Sequence, residues 1–215
     1  MHRTPLQNRV FPNGSIRAEP ARGTMMGNRG GKFHDPDSKR LHPTKRWVSQ
    51  QWLCCEAQFN DRQRSVMGHG YTELFFIDEV TALAAGHRPC FECRRADFLD
   101  FAERWRRAKR RKKRPTAKQM DEVLHRERLH GDDKRVDRAF WDDLPNATMI
   151  AWRGGAVAKH GGKPLLWSPD GYEAADPSDF EGQLVTVLTP PAIRTVLKTG
   201  YKPRWHPSAQ SGPAD

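Results

Sequence analysis

Two cysteines three positions apart, Cys90 and Cys93, close the stretch Arg88-Pro89-Cys90-Phe91-Glu92-Cys93. On a tight turn running into a helix, this spacing can aim both sulfurs at one tetrahedral ion, and short Zn–S bonds require so compact a loop. Thioredoxin-like redox sites share the Cys-x-x-Cys spacing, so the surroundings must decide. The remaining cysteines, Cys54 and Cys55, are adjacent in a segment with the composition of a strand. Successive strand side chains point to opposite faces. One of the two is therefore expected to join the knuckle while the other packs in a core. His87, His69 and His34 are the nearest candidates for a fourth ligand, and a scaffold that binds no metal is the alternative.

Charge is the second chemical signal. Nine of the eleven residues over 104–114 are basic, namely Arg104, Arg106, Arg107, Lys109, Arg110, Arg111, Lys112, Lys113 and Arg114. They supply most of a net charge of +11, which favours an anionic partner. A charge run is usually a solvated or disordered face. This one continues from an amphipathic helix that Phe98, Phe101 and Trp105 would anchor, and an anchored basic helix end suits backbone phosphates. The run carries only Trp105 and Ala108 as apolar residues, which argues against a membrane surface.

Other motifs weigh less. His125-Arg126-Glu127 has the residue types of a zinc nucleobase deaminase, but in those enzymes His-x-Glu precedes the Pro-Cys-x-x-Cys, and here it follows. Asp121, Glu122 and His125 could serve a nuclease as ion ligands and general base, against the plainer reading of a charged helix face. The Gly/Arg-rich stretch 22–32 reads as a loop, on the surface or against phosphate. It lacks the Gly-Lys-Ser/Thr ending of a P-loop.

The elements that must hold these groups follow from pattern. Pro12-Asn13-Gly14 between two short β-prone runs predicts a hairpin. Three strands are expected over 47–59, 64–67 and 71–77, with a turn at Asn60-Asp61-Arg62. Asp78 caps a short helix over 79–85 that Gly86 closes. A second helix starts near Arg95 and runs to Pro115 with Phe98, Leu99, Phe101, Ala102 and Trp105 as its apolar stripe. A third covers 117–130 with Met120, Val123 and Leu124 on one side. Short strands over 148–152, 165–167 and 184–188 and a helix over 192–198 complete the chain.

The stretch from Phe75 to Arg94, a strand, an Ala-rich short helix ending Ala84-Ala85-Gly86, then His87-Arg88-Pro89-Cys90-Phe91-Glu92-Cys93-Arg94, resembles the zinc-binding domain of the Ada family of bacterial DNA-repair methyl acceptors. The match is close over about 20 residues and loose over some 50. The resemblance implies that Cys90 and Cys93 are zinc ligands within a small strand–helix domain. The family supplies its other two ligands from a Cys-x-x-x-Cys, where this chain has Cys54-Cys55.

These readings give an α+β fold: a small strand–helix zinc-knuckle domain, basic helices after it, and a β-rich C-terminal lobe. The expected divisions are a Gly/Arg-rich segment with a hairpin at 1–45, the zinc domain and basic helices at 46–144, the lobe at 145–206, and a disordered tail at 207–215. Seven Trp and ten Phe argue for a folded body despite an apolar fraction of 36%. No run is long and apolar enough to span a bilayer, and the first residues lack a secretory apolar stretch, so a cytoplasmic protein is expected. The expected function is DNA binding, in repair or maintenance, with DNA favoured over RNA and zinc as cofactor. The alternatives are a nuclease or other nucleic-acid-modifying enzyme, and a zinc-braced RNA- or protein-interaction module.

Overall fold

A computed structural model describes residues 4–60 and 65–210. The expected turn at Asp61-Arg62, the start of the strand expected at Arg64, and the end of the tail (211–215) lie outside the described residues.

The cysteines belong to a six-stranded mixed sheet. It is built from β1 (Gln7–Val10), β2 (Ile16–Ala18), β3 (Met25–Arg29), β4 (Trp52–Glu56), β5 (Leu74–Phe76) and β6 (Arg88–Pro89), in the order β2-β1-β5-β3-β4-β6. The hairpin expected at Asn13-Gly14 joins β1 to β2, with Gly14 at φ 82° and the Asn13 side chain accepting from the Ser15 amide at 3.0 Å. The Gly/Arg-rich stretch is not a loop. Its residues Met25, Gly27 and Arg29 are buried, with half-buried residues between them, and the strand they form pairs with both β4 and β5. Gly27 permits that closeness, since a Cβ there would lie 2.1 Å from the Leu53 carbonyl oxygen and 2.7 Å from the Phe76 ring. The strand expected over 47–59 is shorter, 52–56, and Ser65, Val66 and Met67 form no strand.

Between β5 and β6 lies α1 (Glu79–Ala84), capped by Asp78, whose carboxylate accepts from the Thr81 amide at 2.8 Å. Then come α2 (Arg95–Ala108) and α3 (Ala117–Arg128). Phe98, Phe101, Ala102 and Trp105 are buried on α2, whereas Leu99 is exposed. The helix stops at Ala108, short of Pro115. Arg110 turns left-handed at φ 49°, and the amides of Arg110 and Arg111 bond the carbonyls of Arg107 and Arg106, a Schellman closure. The hydroxyl and amide of Thr116 and Gln119 form a capping box for α3. A two-stranded ribbon follows, β7 (Leu129–His130) with β8 (Asp133–Lys134).

The C-terminal part contains a second six-stranded sheet, wholly antiparallel. Its strands are β9 (Asp137–Phe140), β10 (Met149–Trp152), β11 (Gly155–His160), β12 (Lys163–Ser168), β13 (Gly171–Ala174) and β14 (Leu184–Val187), in the order β13-β12-β11-β10-β14-β9. The last α-helix is α4 (Pro191–Lys198), and residues 207–210, expected as part of a disordered tail, instead form a 3-10 turn with Ala209 buried and the Ser208 hydroxyl accepting from the Tyr172 amide at 2.9 Å.

One helix ties the two sheets together. Ala82 and Ala85 pack on the first sheet, while Val80 and Leu83 join the core formed by α2, α3, α4 and β10–β13. Polar bonds repeat the link. Tyr172 donates to Asp78 at 2.9 Å, Trp167 to Thr81 at 3.0 Å, and Tyr201 to Glu79 at 2.7 Å. The architecture is α+β, and α1, the helix that precedes the cysteine turn, is wedged between its two sheets.

Candidate metal centre

Strand pairing brings the separated cysteines together. β6 lies parallel to β4, with Leu53 opposite Arg88 and Cys54 opposite Pro89, and the Cys90 amide donates to the Cys54 carbonyl at 2.9 Å. Cys55 therefore stands beside the turn holding Cys90 and Cys93, where α2 begins. The Sγ atoms of Cys55, Cys90 and Cys93 all lie within 4.8 Å of one another. A tetrahedral zinc–thiolate site needs sulfurs about 3.8 Å apart, from Zn–S bonds of about 2.3 Å.

The electrostatics of the trio are those of a shared site. Hydrogen bonds from Cys55 and then Cys93 hold the Cys90 thiol far below its ordinary range, at about 2. Bonding to Cys90 and Cys93, with burial, pushes Cys55 far upward. A thiophilic cation in their midst would bind the cysteines as thiolates and displace their protons. The Glu56 amide adds a donor to the Cys93 sulfur at 3.4 Å.

Cys54 stands apart, as the alternation of β4 demands. It is fully buried on the other face, and its sulfur accepts from Arg94 Nη1 at 3.4 Å. Burial pushes its thiol above the usual range. Arg94 in turn bonds Glu79 at 2.7 Å and Asp97 at 2.9 Å, which pins the first turn of α2 beneath the knuckle.

None of the three histidines completes the cluster. His87 is buried against Trp52, Phe76 and Arg29. His34 bonds the Thr72 hydroxyl and the Gly68 carbonyl, and exposed His69 is not part of the group. A cavity of about 250 Å³ opens beside the sulfurs instead, with Glu73, Tyr71 and Asn28 on its walls. Glu73 is buried and accepts from the Met67 amide at 2.8 Å. Among the described residues the donors are three sulfurs with a cavity beside them, and such a set would leave a coordination position for water or substrate.

The nuclease residues do not converge. Asp121 is buried and bonded twice to Arg88, at 2.8 and 2.7 Å, while His125 packs its ring on Trp47 and meets Arg128 at 3.1 Å. Among the described residues no second group of potential metal ligands forms.

The basic run divides in two. Arg104 is bonded to Asp100 at 2.8 Å, and Arg106 and Arg107 both pair with Glu103, at 2.8 and 3.0 Å. Lys109, Arg110, Arg111, Lys112, Lys113 and Arg114 are exposed. They leave the far end of α2, whose 14 residues set them roughly 20 Å from the cysteines.

No protein-family model, curated protein or solved structure matches the chain.

Proposed function

We propose that the chain is a zinc-dependent nucleic-acid-binding protein, with DNA its favoured partner and DNA maintenance or repair its role. The observation that carries the reading is the convergence of Cys55, Cys90 and Cys93 within 4.8 Å. Three thiol donors favour a soft or borderline ion, and zinc is the common one. The Ada-like run from Phe75 to Arg94 supports the same choice. In this reading the metal braces β4, β6 and the start of α2, so its binding energy is folding energy. The exposed residues Lys109, Arg110, Arg111, Lys112, Lys113 and Arg114 then contact backbone phosphates, held in place by the buried stripe of α2.

A second reading is favoured by the cavity beside the sulfurs. An ion with three protein ligands and an open position supplies Lewis-acid and bound-water chemistry. Glu73, buried on the cavity wall, is placed to orient a ligand there.

Elemental analysis of protein purified without chelator tests the first claim, with about one zinc per chain expected and Cys90→Ser losing it. Well under half an equivalent in the wild type overturns the metal reading. Fluorescence anisotropy with short duplex and single-stranded oligonucleotides at several salt concentrations tests the second. No binding at low salt overturns it.

A further inference from the structure

The sheet that presents the cysteines has two faces, and its alternation sorts the residues between them. On β3 and β4, Met26, Asn28, Leu53 and Cys55 line the cavity beside the sulfurs. Arg29 and Trp52 line a different cavity of about 420 Å³, closed by Arg46, Arg128 and Lys134. The side chains of Arg29 and Arg128 are 2% and 0% exposed, and each guanidinium lies over the Trp52 ring, at 3.9 and 4.0 Å from its centroid.

Buried cations are ordinarily paired with carboxylates, because desolvating an unpaired charge is costly. Here the acceptors are neutral. Arg29 donates to the Gly14 carbonyl at 2.8 Å, the Arg46 carbonyl at 3.4 Å and His87 Nε2 at 3.3 Å. Arg128 donates to the carbonyls of Gly86 and Gln50 at 2.9 and 2.8 Å and meets His125, while its Nε, buried, has no partner. Lys134 Nζ donates to the Ala84 carbonyl at 2.5 Å. Arg46 bonds the carbonyls of His42, Pro43 and Lys45. Among the described residues, none of the four takes part in an ion pair. Asp132 and Asp133 reach the cavity from its exposed rim. Asp121, whose charge Arg128 feels, is already committed to Arg88.

We infer that this face carries a second site, a cavity that holds the phosphate group of an anionic ligand on Arg29, Arg46, Arg128 and Lys134. Guanidinium forks lining one cavity suit tetrahedral oxyanions, and a compact ammonium adds a point charge. The acidities agree with this crowding of cations. Burial first, then the neighbouring cations, lowers Lys134 to about 7 and holds Arg29 well below its ordinary value. An anion would relieve all of them at once. The fold commits backbone to the site as well. Gly86, at φ 91°, leaves no room for a Cβ, which would come within 2.8 Å of the Arg128 side chain. The site shares no residue with the cysteine cluster.

Inorganic phosphate, titrated into the full chain as purified and compared with chloride at equal ionic strength, is the test. Saturable binding by calorimetry with Kd below about 1 mM is expected, with a rise in melting temperature that chloride does not give. Arg46→Gln lies in an exposed loop and should fold normally. It and Lys134→Gln should each weaken phosphate roughly tenfold. If phosphate acts no more strongly than chloride, or if neither variant weakens it, the inference is overturned. Oligonucleotides with and without a 5′-phosphate, competed against phosphate, then separate the sources. A gain from the 5′-phosphate assigns the site to a nucleic-acid end, and no gain assigns it to a small phosphorylated ligand.

Discussion

Arg88 and Asp121 form a two-pronged ion pair, at 2.8 and 2.7 Å, between the strand that leads into the cysteine turn and the helix 33 positions later. Both side chains are only 3% exposed. The pair orients the knuckle: Arg88 also donates to the Pro89 carbonyl at 3.1 Å and lies over the Phe98 ring of α2.

Breaking it from one side should cost far more than removing it whole. Asp121→Ala leaves a buried guanidinium without its anion, and a loss of about 3–5 kcal/mol in denaturant stability is expected. The double variant Arg88→Met, Asp121→Leu should recover most of that loss, since the desolvation penalty disappears with the charges. An Asp121→Ala protein as stable as wild type would show that the pair contributes nothing to the fold.

Cys54 and Cys55 should answer to substitution in opposite ways. Cys55→Ser removes a sulfur from the cluster and should empty the metal site, while Cys54→Ser should keep the metal and perturb only the contact with Arg94. Metal content measured on both variants, with chelator-induced unfolding followed by circular dichroism, gives the comparison. Equal losses from both would contradict the alternation of β4.

That pair shows how much of the site the sequence carried. Neighbours in a strand face opposite ways whatever the tertiary fold, so the split between Cys54 and Cys55 follows from local geometry alone. Which of them faces the knuckle depended on the parallel pairing of β4 with β6, a contact between residues 35 apart. The helices were readable because Asp78, Gly86 and the stripe through Phe98, Phe101 and Trp105 are local signals. The strand over Met25–Arg29 was hidden by the glycine inside it, Gly27, which is there for close packing rather than for a turn. Arg29 lay in the Gly/Arg-rich stretch whose sharper reading was a phosphate loop, but Arg46, Arg128 and Lys134 had no motif at all, because only the folded sheet brings such scattered cations into one cavity.

His87 should make the fold sensitive to acid. Burial first, then the charges of Arg29, Arg128 and Lys134, holds its pKa well below the ordinary value, so the folded chain keeps it neutral. In the unfolded chain it titrates near about 6.5. Below that pH the unfolded state binds a proton that the native state refuses. The stability present above about pH 6.5 is therefore lost as pH falls through it, by up to about 1.4 kcal/mol per pH unit. Denaturant midpoints at pH 7.5 and 5.0 should converge in His87→Gln, which keeps an acceptor for Arg29. An unchanged difference in the variant would place the acid sensitivity elsewhere.

The basic run should bind a nucleic-acid backbone through its solvated half. Arg104, Arg106 and Arg107 are held by Asp100 and Glu103 along α2, so the free contacts are Lys109, Arg110, Arg111, Lys112, Lys113 and Arg114. Each phosphate neutralised on duplex DNA releases condensed counterions and contributes roughly −0.9 to the slope of log affinity against log salt. With about four to six contacts the slope should lie near −4 to −5. Replacing Arg110, Arg111, Lys112 and Lys113 with Gln should flatten it by roughly three units or more. Metal content should not move, because the run leaves the opposite end of α2 from Cys90 and Cys93. The fold should survive, because Phe98, Phe101 and Trp105 remain buried. Replacing Arg106 and Arg107 instead should change the slope little, since both are already paired with Glu103. A wild-type slope near zero, or one that the quadruple variant keeps, would mean that these charges serve only to solvate the surface.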